Sequence, residues 1–133
     1  KVWGKNAIYL CPQGMEIIII KSPYTFASNR SIPWRQHLYN MQQRIYSENF
    51  HVAFLSCGGF GLPLAHFIKK NMNKSAIYIG GGMQLWFGIL GGRWLKNPYI
   101  LPYVNQYWIR PLASETPERR IANAIETSTY WRR

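Results

Sequence analysis

Two apolar runs that each stop at a cluster of glycines constrain this chain more than any other feature. His51 to Ser56 has the length and composition of a buried strand. It ends at Cys57-Gly58-Gly59-Phe60-Gly61, where glycine permits a tight turn and close backbone approach. Leu62 to Met72 predicts a helix: Leu62, Ala65, Phe67, Ile68 and Met72 are apolar, and Lys69 and Lys70 fall on the other side. Pro63 suits its first turn, where a missing N–H has no intrahelical partner to lose. Ser75 to Ile79 is a second strand-like run, stopped by Gly80-Gly81-Gly82. This order predicts a βαβ unit whose turns present backbone N–H groups and a helix N-terminus to an anionic ligand. The same glycines also suit a purely structural role in tight turns and close packing.

Around that unit the sequence predicts a small α/β domain with a mostly parallel sheet and flanking helices. One domain spans 1–133, with a core over about 5–94 and an irregular, aromatic-rich tail over 95–133. Ala7 to Cys11 is a short strand candidate, and the unbroken Ile17 to Ile20 run suits a strand covered on both faces. Ser22 to Pro33 reads as a polar loop in which Arg30 is either a ligand contact or a solvated side chain. Trp34 to Glu48 is the clearest amphipathic helix, with Trp34, Leu38, Met41 and Ile45 at three- and four-residue spacings. Met83 to Ile89 reads as a short helix. The tail is punctuated by Pro98, Pro102, Pro111 and Pro117, and Thr116 before Pro117 reads as the cap of a helix starting near Glu118. Ala76 to Leu95 is long and apolar enough to pass for a membrane span. Its glycines, Gln84 and Arg93 instead read as strand, turn and short helix, so no transmembrane segment is expected.

Charge limits the chemistry. Sixteen Lys and Arg face five Glu, no aspartate is present, and the net charge is +11. That balance points to polyanionic partners such as nucleic acid, phosphate-bearing ligands, an acidic protein or an acidic membrane surface. Hard-cation sites need several carboxylates, and Glu16, Glu48, Glu115, Glu118 and Glu126 are scattered, so no intrinsic metal site is evident and no cofactor is named. His66 alone among the histidines lies near the first glycine turn, where it reads more simply as a helix-surface residue. Cys11 and Cys57 are too few for a disulfide scaffold and lack zinc-motif spacing, which favours a reducing, intracellular compartment, an organelle or virion being compatible. Lys1 in first place suggests a processed product or a piece of a longer protein, and no signal-peptide pattern opens it.

Neither glycine cluster is a dinucleotide fingerprint. Gly58-Gly59-Phe60-Gly61 lacks the G-x-G-x-x-G spacing, no acidic residue closes the following strand, and no Gly-Lys-Ser or Gly-Lys-Thr makes a P-loop. Arg93-Trp94 and Trp108-Ile109-Arg110 pair a guanidinium with an indole. Such pairs suit a phosphate with a stacked base or sugar, and equally suit ordinary cation–π packing.

The run from Ile77 through Gly80-Gly81-Gly82, Gln84 and Phe87-Gly88-Ile89 to Arg93-Trp94 resembles a signature of GT-D-type glycosyltransferase-like proteins. Ser56 to Ala65 is similar to that family's glycine turn followed by Gly-Leu-Pro-Leu-Ala, and Tyr107 to Pro111 to its Tyr-Trp-Val-Arg-Pro segment. Ile125-Glu126 with Tyr130-Trp131 resembles its closing motif, and Lys21 to Tyr24 and Trp34 also fit. The resemblance implies a Rossmann-like domain associated with sugar transfer from a nucleotide sugar. Gly58, Gly59 and Gly61 would approach its phosphates, and Gly80, Gly81 and Gln84 would line the cleft. Arg93 and Arg110, beside Trp94 and Trp108, would hold the diphosphate or acceptor, and Glu126 would be the carboxylate for base work. The chain departs from the family pattern in lacking any Asp-x-Glu motif, and Leu90, Gly92, Gln106 and Thr127-Ser128-Thr129 differ from the residues expected there. Those departures fit either the C-terminal part of a larger enzyme or the alternative, a catalytically inactive basic subunit of a nucleoprotein or viral assembly.

Overall fold

A computed structural model describes residues 14–23, 32–116, 122, 130 and 131. The predicted Ala7 to Cys11 strand, Arg30, the body of the helix from Glu118, and Glu126 lie outside those residues. The chain divides into two compact units, one of residues 16–80 and the other of 1–15 with 81–133. Their boundary falls within the second glycine cluster.

The first unit contains α1 (Trp34–Tyr46), β1 (Val52–Leu55), α2 (Gly61–Met72) and β2 (Ser75–Tyr78), with a 3-10 turn at Gly58–Phe60 between β1 and α2. Pro33 precedes α1 in extended conformation, and its carbonyl accepts from the N–H groups of Gln36 at 2.9 Å and His37 at 3.2 Å. The helix stops at Ser47, whose hydroxyl donates to the carbonyl of Arg44 at 2.8 Å. A serine hydroxyl bonding a nearby carbonyl offers the backbone an alternative to further helix. α2 ends at Asn73, which adopts a left-handed conformation at φ 52°. Asparagine tolerates that region better than any residue except glycine, so the chain can reverse sharply into β2.

β1 and β2 pair in parallel, in register from Val52 with Ser75 to Leu55 with Tyr78. Parallel neighbours need a crossover, and α2 supplies it. Its Leu64 and Ile68, one helical turn apart, are fully buried. They form the core with Met41 and Ile45 from α1, Leu55 from β1 and Phe60 from the turn. The described residues therefore form an α/β arrangement of helices with a two-stranded parallel sheet.

The Glu16 to Lys21 run departs from expectation. It is irregular rather than a strand, and Ile17, Ile18 and Ile19 are 50%, 40% and 78% exposed. Only Ile20 of the four packs against the core. A continuous apolar run is covered on both faces only where neighbouring strands and helices flank it. Among the described residues this run pairs with no strand.

The second unit is built mostly from turns. α3 spans Gly82–Trp86, shorter than predicted, and Gly88 at φ 65° turns the chain away from it. Ile89 and Ile109 form an isolated parallel bridge, with Leu90 donating to Ile109 and Ile109 to Gly88, each at 2.8 Å. Further 3-10 turns occupy Gly92–Trp94, Leu101–Tyr103 and Ala113–Glu115. The Glu115 carboxylate accepts the Leu112 N–H at 3.0 Å, and the Thr116 hydroxyl donates back to the Leu112 carbonyl at 3.0 Å. Leu85, Leu90, Ala122 and Trp131 are buried here. No helix among the described residues is long and apolar enough to cross a membrane.

The packing sets a stability contrast. Leu64→Ala removes a fully buried side chain and should cost about 2–5 kcal/mol in urea denaturation. Ile19→Ser, at a site 78% exposed, should change stability by less than about 0.5 kcal/mol.

Candidate functional site

In the first unit the carboxyl ends of both strands meet the glycine turn. The Ile79 and Gly80 N–H groups donate to the Leu55 carbonyl at 2.9 and 3.3 Å, and the Ser56 hydroxyl donates to the Gly80 carbonyl at 2.8 Å. The Tyr78 hydroxyl donates to the Gly58 carbonyl at 3.2 Å. Together these bonds hold the turn over the end of the sheet. Phe60 is buried beneath it and stacks on Trp34, with ring centroids 5.0 Å apart and planes 4° from parallel.

The glycines of this turn do different things. Gly58 sits at φ 53°, where an L side chain is strained, and Gly58 and Gly59 are both exposed. A side chain at either would meet nothing within 4 Å, so both present bare backbone to solvent. Gly61 is buried, and a Cβ there would run into the Tyr78 ring. Its missing side chain is thus explained by a tyrosine of the same unit. Gly80, at φ 60°, lies 3.9 Å from the Tyr78 hydroxyl by the same measure.

Cys57 opens the turn half-buried, and that burial pushes its thiol above the usual cysteine range. Raising a thiol pKa lowers the thiolate fraction at neutral pH, so Cys57 is a poor nucleophile there. His66 is exposed on α2.

In the second unit, Tyr130 gathers several residues nominated from sequence. A Cβ at Gly81 would lie 2.7 Å from the Tyr130 ring and 3.6 Å from the Arg93 guanidinium. The Gln84 amide donates to the Tyr130 carbonyl at 3.1 Å, while its Oε1 is buried with no hydrogen-bond partner among the described residues. The Arg93 guanidinium lies 5.2 Å from the Tyr130 ring centre and 5.7 Å from that of Trp94, on an exposed residue. Trp131 meets Tyr130 edge-on at 6.0 Å, and its carbonyl accepts the Gly92 N–H at 3.2 Å. Trp108 and Arg110 are half-buried on either side of Ile109, whose bridge to Ile89 anchors them.

The structure thus brings Gly58, Gly59, Gly61 and Gly80 together in one unit, and Gly81, Gln84, Arg93 and Trp94 in the other. Glu126 lies outside the described residues. Tyr78 was not singled out by the sequence reading, although an aromatic residue immediately before Ile79 and the glycine cluster was its signal. Among the described residues no group of three or more His, Cys, Asp or Glu is placed to hold a metal ion.

No protein-family model, curated protein or solved structure matches this chain.

Two outcomes follow from this geometry. Gly61→Ala should destabilise the protein by about 1–3 kcal/mol through overpacking against Tyr78, and Gly59→Ala should cost clearly less in the same thermal melts. In a Cys11→Ser background, Cys57 should alkylate with iodoacetamide at pH 7.5 more slowly than a free cysteine peptide. Its rate should still be rising at pH values where the peptide has levelled off.

Proposed function

We propose that this chain is a Rossmann-like, glycosyltransferase-like domain that binds the diphosphate of a nucleotide sugar. One observation carries the reading. The parallel β1–α2–β2 unit has an exposed Gly58–Gly59 turn at the carboxyl end of β1, where a Cβ at either glycine would meet nothing within 4 Å. In open α/β sheets ligands bind outside the carboxyl ends of the strands, and bare backbone N–H groups beside a helix start suit phosphate. The ordered resemblance from Ser56 to Trp94 supports the same class of ligand. Within the second unit, Arg93 lies over Trp94 and Tyr130 on an exposed residue, and the resemblance nominates it for a diphosphate or acceptor. The reading is one of binding: the only carboxylate that the resemblance nominates for base work is Glu126.

A second reading, a catalytically inactive basic component of a nucleoprotein assembly, is favoured by the +11 charge and the absence of aspartate. Counterion release makes such binding fall steeply with salt. The two readings separate in a single set of measurements.

Gly59→Val is the decisive variant, because a Cβ there meets nothing within 4 Å in the free protein, while the branched side chain would cover the backbone a phosphate would approach. UDP or a UDP-hexose at millimolar concentration should raise the melting temperature of the parent, as a ligand specific for the folded state does. Gly59→Val should melt near the parent without ligand and show no shift with it. No shift in the parent, together with nucleic-acid binding that weakens steeply between 50 and 200 mM salt, would replace this reading with the second.

A further inference from the structure

An open, mostly apolar cleft lies in the first unit, and it uses no residue of the glycine turn. It has a volume of about 350 Å3 and is lined by Ile20, Lys21, Ser22 and Pro23 from the segment before α1, and by His37, Asn40, Met41 and Arg44 from α1. The helical contributors fall at i, i+3, i+4 and i+7, which places them on one face. Met41 is buried, Ile20 and His37 are half-buried, and Lys21, Asn40 and Arg44 are exposed, so an apolar floor rises to a polar rim.

The polar groups are strongly one-sided. Lys21 and Arg44 carry fixed positive charge, the Ser22 hydroxyl can donate, and among the described residues no carboxylate lines the cavity. The Asn40 Oδ1 already accepts from the Gln36 amide at 2.9 Å. Its amide donors therefore remain as its contribution to the rim. Arg44 can engage two oxygens of one phosphate at once, whereas Lys21 acts as a point charge.

We propose that this cavity binds a phosphate monoester of a small molecule. A phosphate monoester carries about −1.5 to −2 charge near neutral pH, which balances Lys21 and Arg44, and its acceptor oxygens match a donor-rich rim. The volume is at the low end of small-molecule sites, roughly 300–1,000 Å3. That suits a phosphorylated sugar better than an entire nucleotide sugar. The apolar floor of Ile20 and Met41 gives the carbon skeleton a surface to rest on, which free phosphate would not use. The site goes beyond the nucleotide-sugar reading and stands without it.

Calorimetric titration of the purified chain with a hexose 1-phosphate tests the assignment, with inorganic phosphate, the free hexose and a single-stranded oligonucleotide as comparisons. Saturable one-to-one binding of the hexose 1-phosphate is expected, tighter than inorganic phosphate and absent for the free hexose. Arg44→Gln should weaken it at least about tenfold, the loss of one charge-assisted contact. Lys70→Gln, which removes the same charge from the exposed end of α2, should leave it unchanged. Circular dichroism should show both variants folded, and Lys21→Gln repeats the test on the non-helical wall. Gly59→Val should retain hexose 1-phosphate binding, so failure of the diphosphate reading and failure of this one are separable. Absence of saturable binding, equal losses in Arg44→Gln and Lys70→Gln, or preference for the oligonucleotide with a steep salt dependence would each overturn the proposal.

Discussion

The burial of Leu64 and Ile68 is the constraint on which the first unit depends. A pair of parallel strands needs a long crossover, and a two-stranded sheet has too little surface to stand alone. α2 meets both needs. It carries the chain back from the end of β1 to the start of β2, and its two buried side chains meet Met41, Ile45, Leu55 and Phe60 in one core. Because both strands run the same way, both end at the same edge. The Gly58–Gly59 turn sits at that edge as a result of hydrophobic packing, before any ligand is considered.

Position then decides what each polar or flexible residue can do. Gly59 has open space around it, while Gly61, two residues on, is occupied by the Tyr78 ring. Arg93 is displayed over two aromatic rings, while Gln84 turns inward and spends its amide donor on the Tyr130 carbonyl. The strongly positive balance of the chain favours anionic partners without saying where on the fold one would sit.

Much of the first unit was legible in the sequence because its signals are local. Trp34, Leu38, Met41 and Ile45 mark α1 by spacing alone, and the glycine clusters end β1 and β2 within a residue or two of their predicted limits. The Ile17 to Ile20 run was misread because apolar composition states a preference for burial without naming a neighbour that provides it. A glycine looks the same in sequence whether it faces a phosphate or a phenol, and the rings that a Cβ at Gly61 or Gly81 would meet, Tyr78 and Tyr130, are distant along the chain. The cavity at Lys21 and Arg44 is hidden for a similar reason: its two walls are segments separated along the chain.

The stacking of Trp34 on Phe60 has an optical consequence. The indole is clamped nearly parallel to a ring of the glycine turn, so its electronic transitions are coupled to an asymmetric, fixed neighbour. Trp34 should therefore contribute to the near-ultraviolet dichroism out of proportion to its being one of six tryptophans. The chain carries its own chromophore at the base of the turn, and a rearrangement of that loop would register as a spectral change without any label being added.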